Sequence, residues 1–321
     1  MTWIVLTNAS SGATRNSGTN GDLCTLLDWA LPQAGWAIEY TAANARVYRA
    51  ASGNRLRVNV RHDSAISGAA QRCFVRGCES ASSATAITDP FPLASQVVDA
   101  NSNWLVSTTA STVDRPFIIC LNETFFYYFS QVGSVANEWS MGFFGDAPAE
   151  YSGDSWNTVC AVRANASNTA VSTNGIGQPT SCGFTVGPTG QIFFARDVTG
   201  AIKSSQSSIG GFSSTSVAMG QLTAGNAARA GYQNKIYRTH VGVNDYASIT
   251  GTASTLALIS RAWLPNLWQP LHLGRGAVSD VDTFTDTAYN PAASFRMLSC
   301  NGATTTGPCC IIEETDTWVA P

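Results

Sequence analysis

Residues 114–130, "DRPFIICLNETFFYYFS", constrain the fold more than any other stretch. Two short apolar runs flank a polar turn, "LNET". Each run is too short for a helix of ordinary length and rich in the aromatic and β-branched residues that strands favour. The second run sets Phe125, Phe126, Tyr127, Tyr128 and Phe129 in a row. On a strand, successive side chains point to opposite faces. Phe125, Tyr127 and Phe129 therefore share one face, and Phe126 and Tyr128 the other. One set can fill a core. The other must meet a second layer of the chain or another subunit, which makes the five rings a candidate assembly interface. "MGFFG", residues 141–145, adds two rings to the same crowded region.

The same style recurs along the chain. "ARVYRAASGNRLRVNVRHD" reads as a hairpin turning at Ser52-Gly53-Asn54, with Leu56, Val58 and Val60 on one side and Arg55, Arg57, Asn59 and Arg61 on the other. "RCFVRGCES" continues it, "GQIFFARDVTGAIKS" is another hairpin signal, and "ASFRMLSC" with "CCIIEET" forms a terminal one. The exception is "GDLCTLLDWALP", where Leu23, Leu26, Leu27 and Ala30 fall at i, i+3, i+4 and i+7. This predicts a short helix over 22–31, capped by Asn20 or Asp22 and stopped by Pro32. The expected fold is mainly β: a hairpin-rich sandwich or barrel-like set of sheets with one short N-terminal helix. Residues 164–190 are poor in charge and rich in Gly, Ser, Thr and Asn. They suggest a boundary between an N-terminal β domain, 1–165, and a C-terminal β region, 166–321.

Charged residues make up only 12% of the 321 residues, and the net charge is -3. A free monomer usually carries more surface charge, so this surface suits life inside an assembly. Lys203 and Lys235 are the only lysines, and arginine is the side chain suited to buried or interfacial ion pairs. No basic tract marks a nucleic-acid partner, and no apolar run reaches the roughly 20 residues that cross a bilayer. The N-terminus "MTWIVLTNASSG" lacks the features of a signal peptide, so folding in a cytosol is expected. Nine cysteines occur without a C-x-x-C pair; zinc sites usually present such pairs, and reduced core cysteine is the favoured reading.

Candidate catalytic groups are few. His62 precedes Asp63 directly, and neighbours on a strand face opposite ways, which makes a poor imidazole–carboxylate pair. Asp146 and Asp154 in "FFGDAPAEYSGD" could form a glycosidase pair, but turn-capping carboxylates fit the local sequence better. Asp280, Asp282 and Asp286 have loop spacing for calcium without the glycine and glutamate of an EF-hand. No cofactor, metal or catalytic residue is expected. Trp263 and Trp268 in "RAWLPNLWQP" are candidate contacts for a sugar or receptor, against packing under a proline-stiffened loop.

Several phrases, taken in order, resemble a family of tailed-bacteriophage virion structural proteins. "GDLCTLLDWALPQAGWAIEYTAANARVYRAASGNRLRVNV" is similar to that family's "G-x-L-x-x-x-L-D" helix, "GW", "VYR" strand and "R-V" strand. "VRGCES" stands where relatives carry "RGYE", and "DPFP" follows. "WLVSTTASTVDRPFIICLNETFFYYF" is similar to a "W-x-x-S…RPW" strand and an aromatic strand, and "FFGDAPAEYSGDSWNT" to an "FGD…GD" turn. "SRAWLPNLWQPLHLG" resembles an "RGxLPGLW-P-H" phrase. Cys78 stands in place of an aromatic and Asn266 in place of a glycine. The resemblance spans nearly the whole chain. It implies a non-enzymatic virion component, made in the host bacterial cytoplasm, whose partners are copies of itself and other virion proteins. Its expected place is the tail, the baseplate or tail tip, or the head–tail region. A head decoration or head-fibre protein, or a module that binds a host surface glycan, are the alternatives.

Overall fold

The computed structural model describes residues 2–67, 72–93, 103–107, 112–132, 139–162, 191–197, 200–201, 236–244, 258–270, 283–285, 292–299 and 309–314. In chain order these form β1 (Ile4–Thr7), α1 (Asp22–Ala30), β2 (Ala37–Ala42), β3 (Ala45–Arg49), β4 (Arg57–Arg61) and the single turn α2 (Ser64–Ser67). Next come β5 (Arg72–Ala81), β6 (Ile87–Phe91), β7 (Asn103–Leu105), β8 (Phe117–Leu121), β9 (Phe125–Gln131), β10 (Trp139–Asp146) and β11 (Thr158–Val162). The rest are β12 (Gln191–Phe194), β13 (Ile236–Asn244), β14 (Leu258–Pro270), β15 (Thr283–Thr285), β16 (Ser294–Ser299) and β17 (Cys309–Glu313).

The strands make three antiparallel sheets, and none closes into a barrel among the described residues. The first runs β2-β3-β4-β5-β6, with β7 also pairing β5. The second runs β1-β8-β9-β10-β11-β12 and the third β13-β14-β17-β16-β15. The fold is thus mainly β, as the alternation predicts.

Alternation also decides the layering. Phe117, Ile119 and Leu121 of β8 join a core that holds α1 and the inner face of the first sheet, Tyr48, Val58 and Val60 included. Ile118 and Cys120 join a second core with Ala262, Leu264 and Leu267 of β14, Leu298 and Ile312. The second sheet is therefore the middle layer, buried on both faces. That is why "FIICL" and the "VCAV" of β11 are apolar without interruption, whereas β4, covered differently on its two sides, alternates. Residues 191–194 pair with β11 in this same middle sheet, so the sheet extends across the expected 165/166 division.

The helix forms where expected but begins and ends differently. Its N-cap is Gly21 in a left-handed conformation (φ 85), without a side-chain cap. Asn20 is occupied with Ser64, and Asp22 with Arg15 and Ser17. Instead His62 Nδ1, reaching in just past the end of β4, accepts the Leu23 N–H at 3.0 Å. Pro32 does not stop the chain at once. It enters a 3₁₀ turn, Leu31–Ala34, which Gly35 ends in a left-handed conformation.

Candidate functional site

The strand β9 lies between β8 and β10, with Phe126 opposite Phe144 and Tyr127 opposite Phe143. Its two faces separate as the alternation predicts. Phe126 and Tyr128 pack with Trp36 and Trp104, ring centroids 5.3 and 5.9 Å apart respectively. Phe125, Tyr127 and Phe129 pack towards the third sheet with Trp3 and Phe143. Both hydroxyls are satisfied inside: Tyr127 donates to the Pro265 carbonyl at 2.7 Å and Tyr128 to Asn16 Oδ1 at 2.9 Å. Burial holds the Tyr128 phenol well above its ordinary range. No ring of the five exceeds 1% exposure. The reading of these residues as an assembly interface is therefore corrected: the second layer that the other face requires is supplied by the same chain.

Trp268 is likewise core. Its indole N–H donates to Glu313 Oε2 at 2.9 Å, and its ring meets Phe295 edge-on at 5.9 Å. At 3% exposure it cannot stack on a sugar. Trp263 is half-buried, and its backbone N–H donates to the Pro148 carbonyl. The two tryptophans therefore differ in exposure, Trp268 being core and Trp263 only half-buried.

The carboxylates act as ties between layers. Asp146, at the end of β10, accepts the Asn54 N–H at 2.6 Å and the Thr158 hydroxyl, fastening the Ser52-Gly53-Asn54 turn of the first sheet to the second. Burial pushes its pKa up, against those hydrogen bonds. A Cβ on Gly53 (φ +69) would lie 2.1 Å from Asp146 Oδ2, so this turn requires glycine. Asp154 makes a bidentate pair with Arg261 of β14 at 2.7 and 3.0 Å, with both side chains at most 2% exposed. Asp63 caps α2 through the Ala65 N–H, and His62 Nδ1 is engaged by the Leu23 N–H. Asp280, Asp282 and Asp286 lie outside the described residues, and no cluster of potential metal ligands occurs among the described ones.

How these ties join up is not legible in the sequence. Arg261 also donates to the carbonyls of Arg196 and Trp156 and lies 4.1 Å from the Phe194 ring centroid. Arg196 stacks 4.7 Å from the Trp156 ring centroid and pairs with Glu79 of β5. Arg57 donates to the Glu79 carbonyl and pairs with Glu39. One chain of arginines thus links all three sheets. The near-absence of lysine was its only trace in the sequence, since a planar fork can serve several acceptors at once and an ammonium cannot do so in fixed geometry.

Five cysteines, Cys24, Cys73, Cys78, Cys120 and Cys160, are buried thiols outside any disulfide. Burial pushes the Cys24 thiol up to about 11 and those of Cys78 and Cys160 up to about 12. These are core thiols, as their apolar settings suggest; Cys182 and Cys300 lie outside the described residues.

The phrases that carry the family resemblance meet one another in space. Asp28 of "LLDW" receives Arg46 Nε at 2.8 Å and the Tyr48 hydroxyl of "VYR" at 2.9 Å. Trp36 of "GW" donates to the Asn122 carbonyl at 2.7 Å and packs on Phe126 of "FFYYF". Gly77 of "VRGCES" leaves room for Phe91 of "DPFP", whose ring would lie 2.2 Å from a Cβ there. The Trp104 ring of "WLVS" lies on Gly142 in the same way and donates to the Ala161 carbonyl at 2.6 Å. Asp154 of "SGDSW" holds Arg261 of "SRAWLP". Asn266 of "PNLW" adopts φ 56, a conformation asparagine tolerates best among side-chain-bearing residues. A scan against protein-family models found no match, and a search of curated proteins found no relative.

Proposed function

We propose that this chain is a non-enzymatic structural component of a tailed-bacteriophage virion, assembling as a homo-oligomer in the tail, the baseplate or tail tip, or the head–tail region. One observation carries the reading: the residues behind the resemblance are spent on holding the protomer together. Asp28, Asp146 and Asp154 bind backbone, hydroxyl or arginine partners within the chain. Such a set is what a family needs when its common requirement is a rigid building block. A shared reaction would instead gather the recurring polar groups around a cleft. The low charge of the chain agrees with a surface shared with neighbours.

The test is composition of purified particles. Mass spectrometry of gradient-purified virions should find the chain at a fixed, multiple copy number relative to the major capsid protein. Particles made without it should be missing a defined part. A chain that is absent from particles, or whose loss leaves them complete and infectious, would end the proposal.

A further inference from the structure

At one corner of the first sheet, guanidinium groups outnumber carboxylates three to one. Arg57 of β4 lies directly across from Arg49 of β3, and Arg55 stands two residues earlier, in the turn that leads into β4. Glu39, the extra residue at a bulge in the edge strand β2, reaches over them. Arg57 takes most of it, with Nε on one carboxylate oxygen and Nη2 on the other at 3.0 Å. Arg49 reaches Glu39 only at 3.4 Å, and its buried Nε has no hydrogen-bond partner. Arg55 is exposed and makes no hydrogen bond or ion pair among the described residues.

Two further observations make this corner more than a solvated patch. Arg55 stands at φ 54, a left-handed conformation that costs a side chain such as arginine strain and that glycine would adopt freely. The turn could therefore be made more easily without the guanidinium it displays. The arginines also act on one acid: the Arg57 hydrogen bond, then the charges of Arg57, Arg49 and Arg55, lower the Glu39 pKa against its burial. A single carboxylate leaves their charge and several donors in surplus.

We infer that Arg49 and Arg55, beside the Glu39–Arg57 pair, receive a carboxylate from a second copy of this chain. Charge complementarity selects that occupant. The corner is positive, whereas the whole chain has 21 acidic against 18 basic side chains, so the excess of acid lies elsewhere on the same molecule. A positive corner meeting an acidic region on the next copy is a head-to-tail contact, the kind that builds rings or stacks. β2 adds room for it, since it is the outer strand of its sheet. This contact rests on the oligomeric role proposed above and gives it a chemical handle.

Sedimentation velocity of the purified full chain, in low and high salt, tests it. Arg55→Gly removes the charge and relaxes the backbone, so its thermal unfolding temperature should equal or exceed that of the parent. Its self-association should be about tenfold weaker, as expected for one lost charged contact. Arg55→Glu should weaken it further, Arg55→Lys should restore most of it, and high salt should weaken the parent and the lysine variant more than Arg55→Gly. Association that is indifferent to Arg55→Gly and Arg55→Glu overturns this site while leaving the virion role intact. A parent that stays monomeric at every concentration also overturns it. Absence of the chain from particles would instead overturn the role itself.

Discussion

Individual residues in this protein are fixed by what lies against them. Gly142 shows this most sharply. A Cβ there would sit 2.4 Å from the Trp104 ring, and that ring is held by its bond to the Ala161 carbonyl. Gly142→Ala should therefore lower stability by about 1–3 kcal/mol, read from chemical denaturation. Asn266 allows the opposite test. Both Asn266→Gly and Asn266→Ala remove the bond to the Glu313 carbonyl, but at φ 56 only alanine also strains the backbone, so Asn266→Ala should be less stable than Asn266→Gly by about 1–3 kcal/mol. The buried thiols set a pH dependence. Their folded pKa values lie above the ordinary value of 9.0, up to about 11 for Cys24 and about 12 for Cys78 and Cys160. Unfolded thiols release protons first as pH rises, so stability is whole below about pH 9 and falls progressively towards pH 11–12. Denaturation midpoints that stay flat across that interval would contradict the burial of these groups.

At the scale of elements, alternation told which residues share a face but not what lies on the far side of it. The split of Phe125, Tyr127 and Phe129 from Phe126 and Tyr128 was legible in the sequence. The third sheet that covers the first set was not, because its strands lie more than a hundred residues further along. The same limit explains Trp268: its partners Glu313 and Phe295 come from the later β16–β17 hairpin. The helix was legible from its stripe, but its cap was not, since His62 arrives from the end of another element. Two measurements follow. Phe125→Ala and Phe126→Ala, on opposite faces of β9, should each cost about 3–5 kcal/mol in the isolated protomer, with no face sparing the fold. His62→Ala should cost about 1 kcal/mol, the value of a lost helix cap, and His62→Asn should recover part of it by offering an acceptor of similar reach.

At the scale of the molecule, three stacked sheets are tied by side chains as well as by packing. Asp154 and Arg261 matter most here, since the pair is buried and joins the segment after β10 to β14. Asp154→Ala would strand a buried guanidinium, and a loss of about 3–5 kcal/mol is expected, larger than for a surface pair. Several of the phrases quoted for the resemblance meet in pairs at this scale, as with Asp28 and Tyr48 or Gly77 and Phe91. A protomer built this way suits repeated use as a rigid block, and the most direct test is a symmetry-averaged map of whole phage particles. Density for this three-sheet protomer is expected at ordered, repeated positions in the tail, baseplate or head–tail region. A complete map in which every ordered subunit is accounted for by other proteins would contradict it.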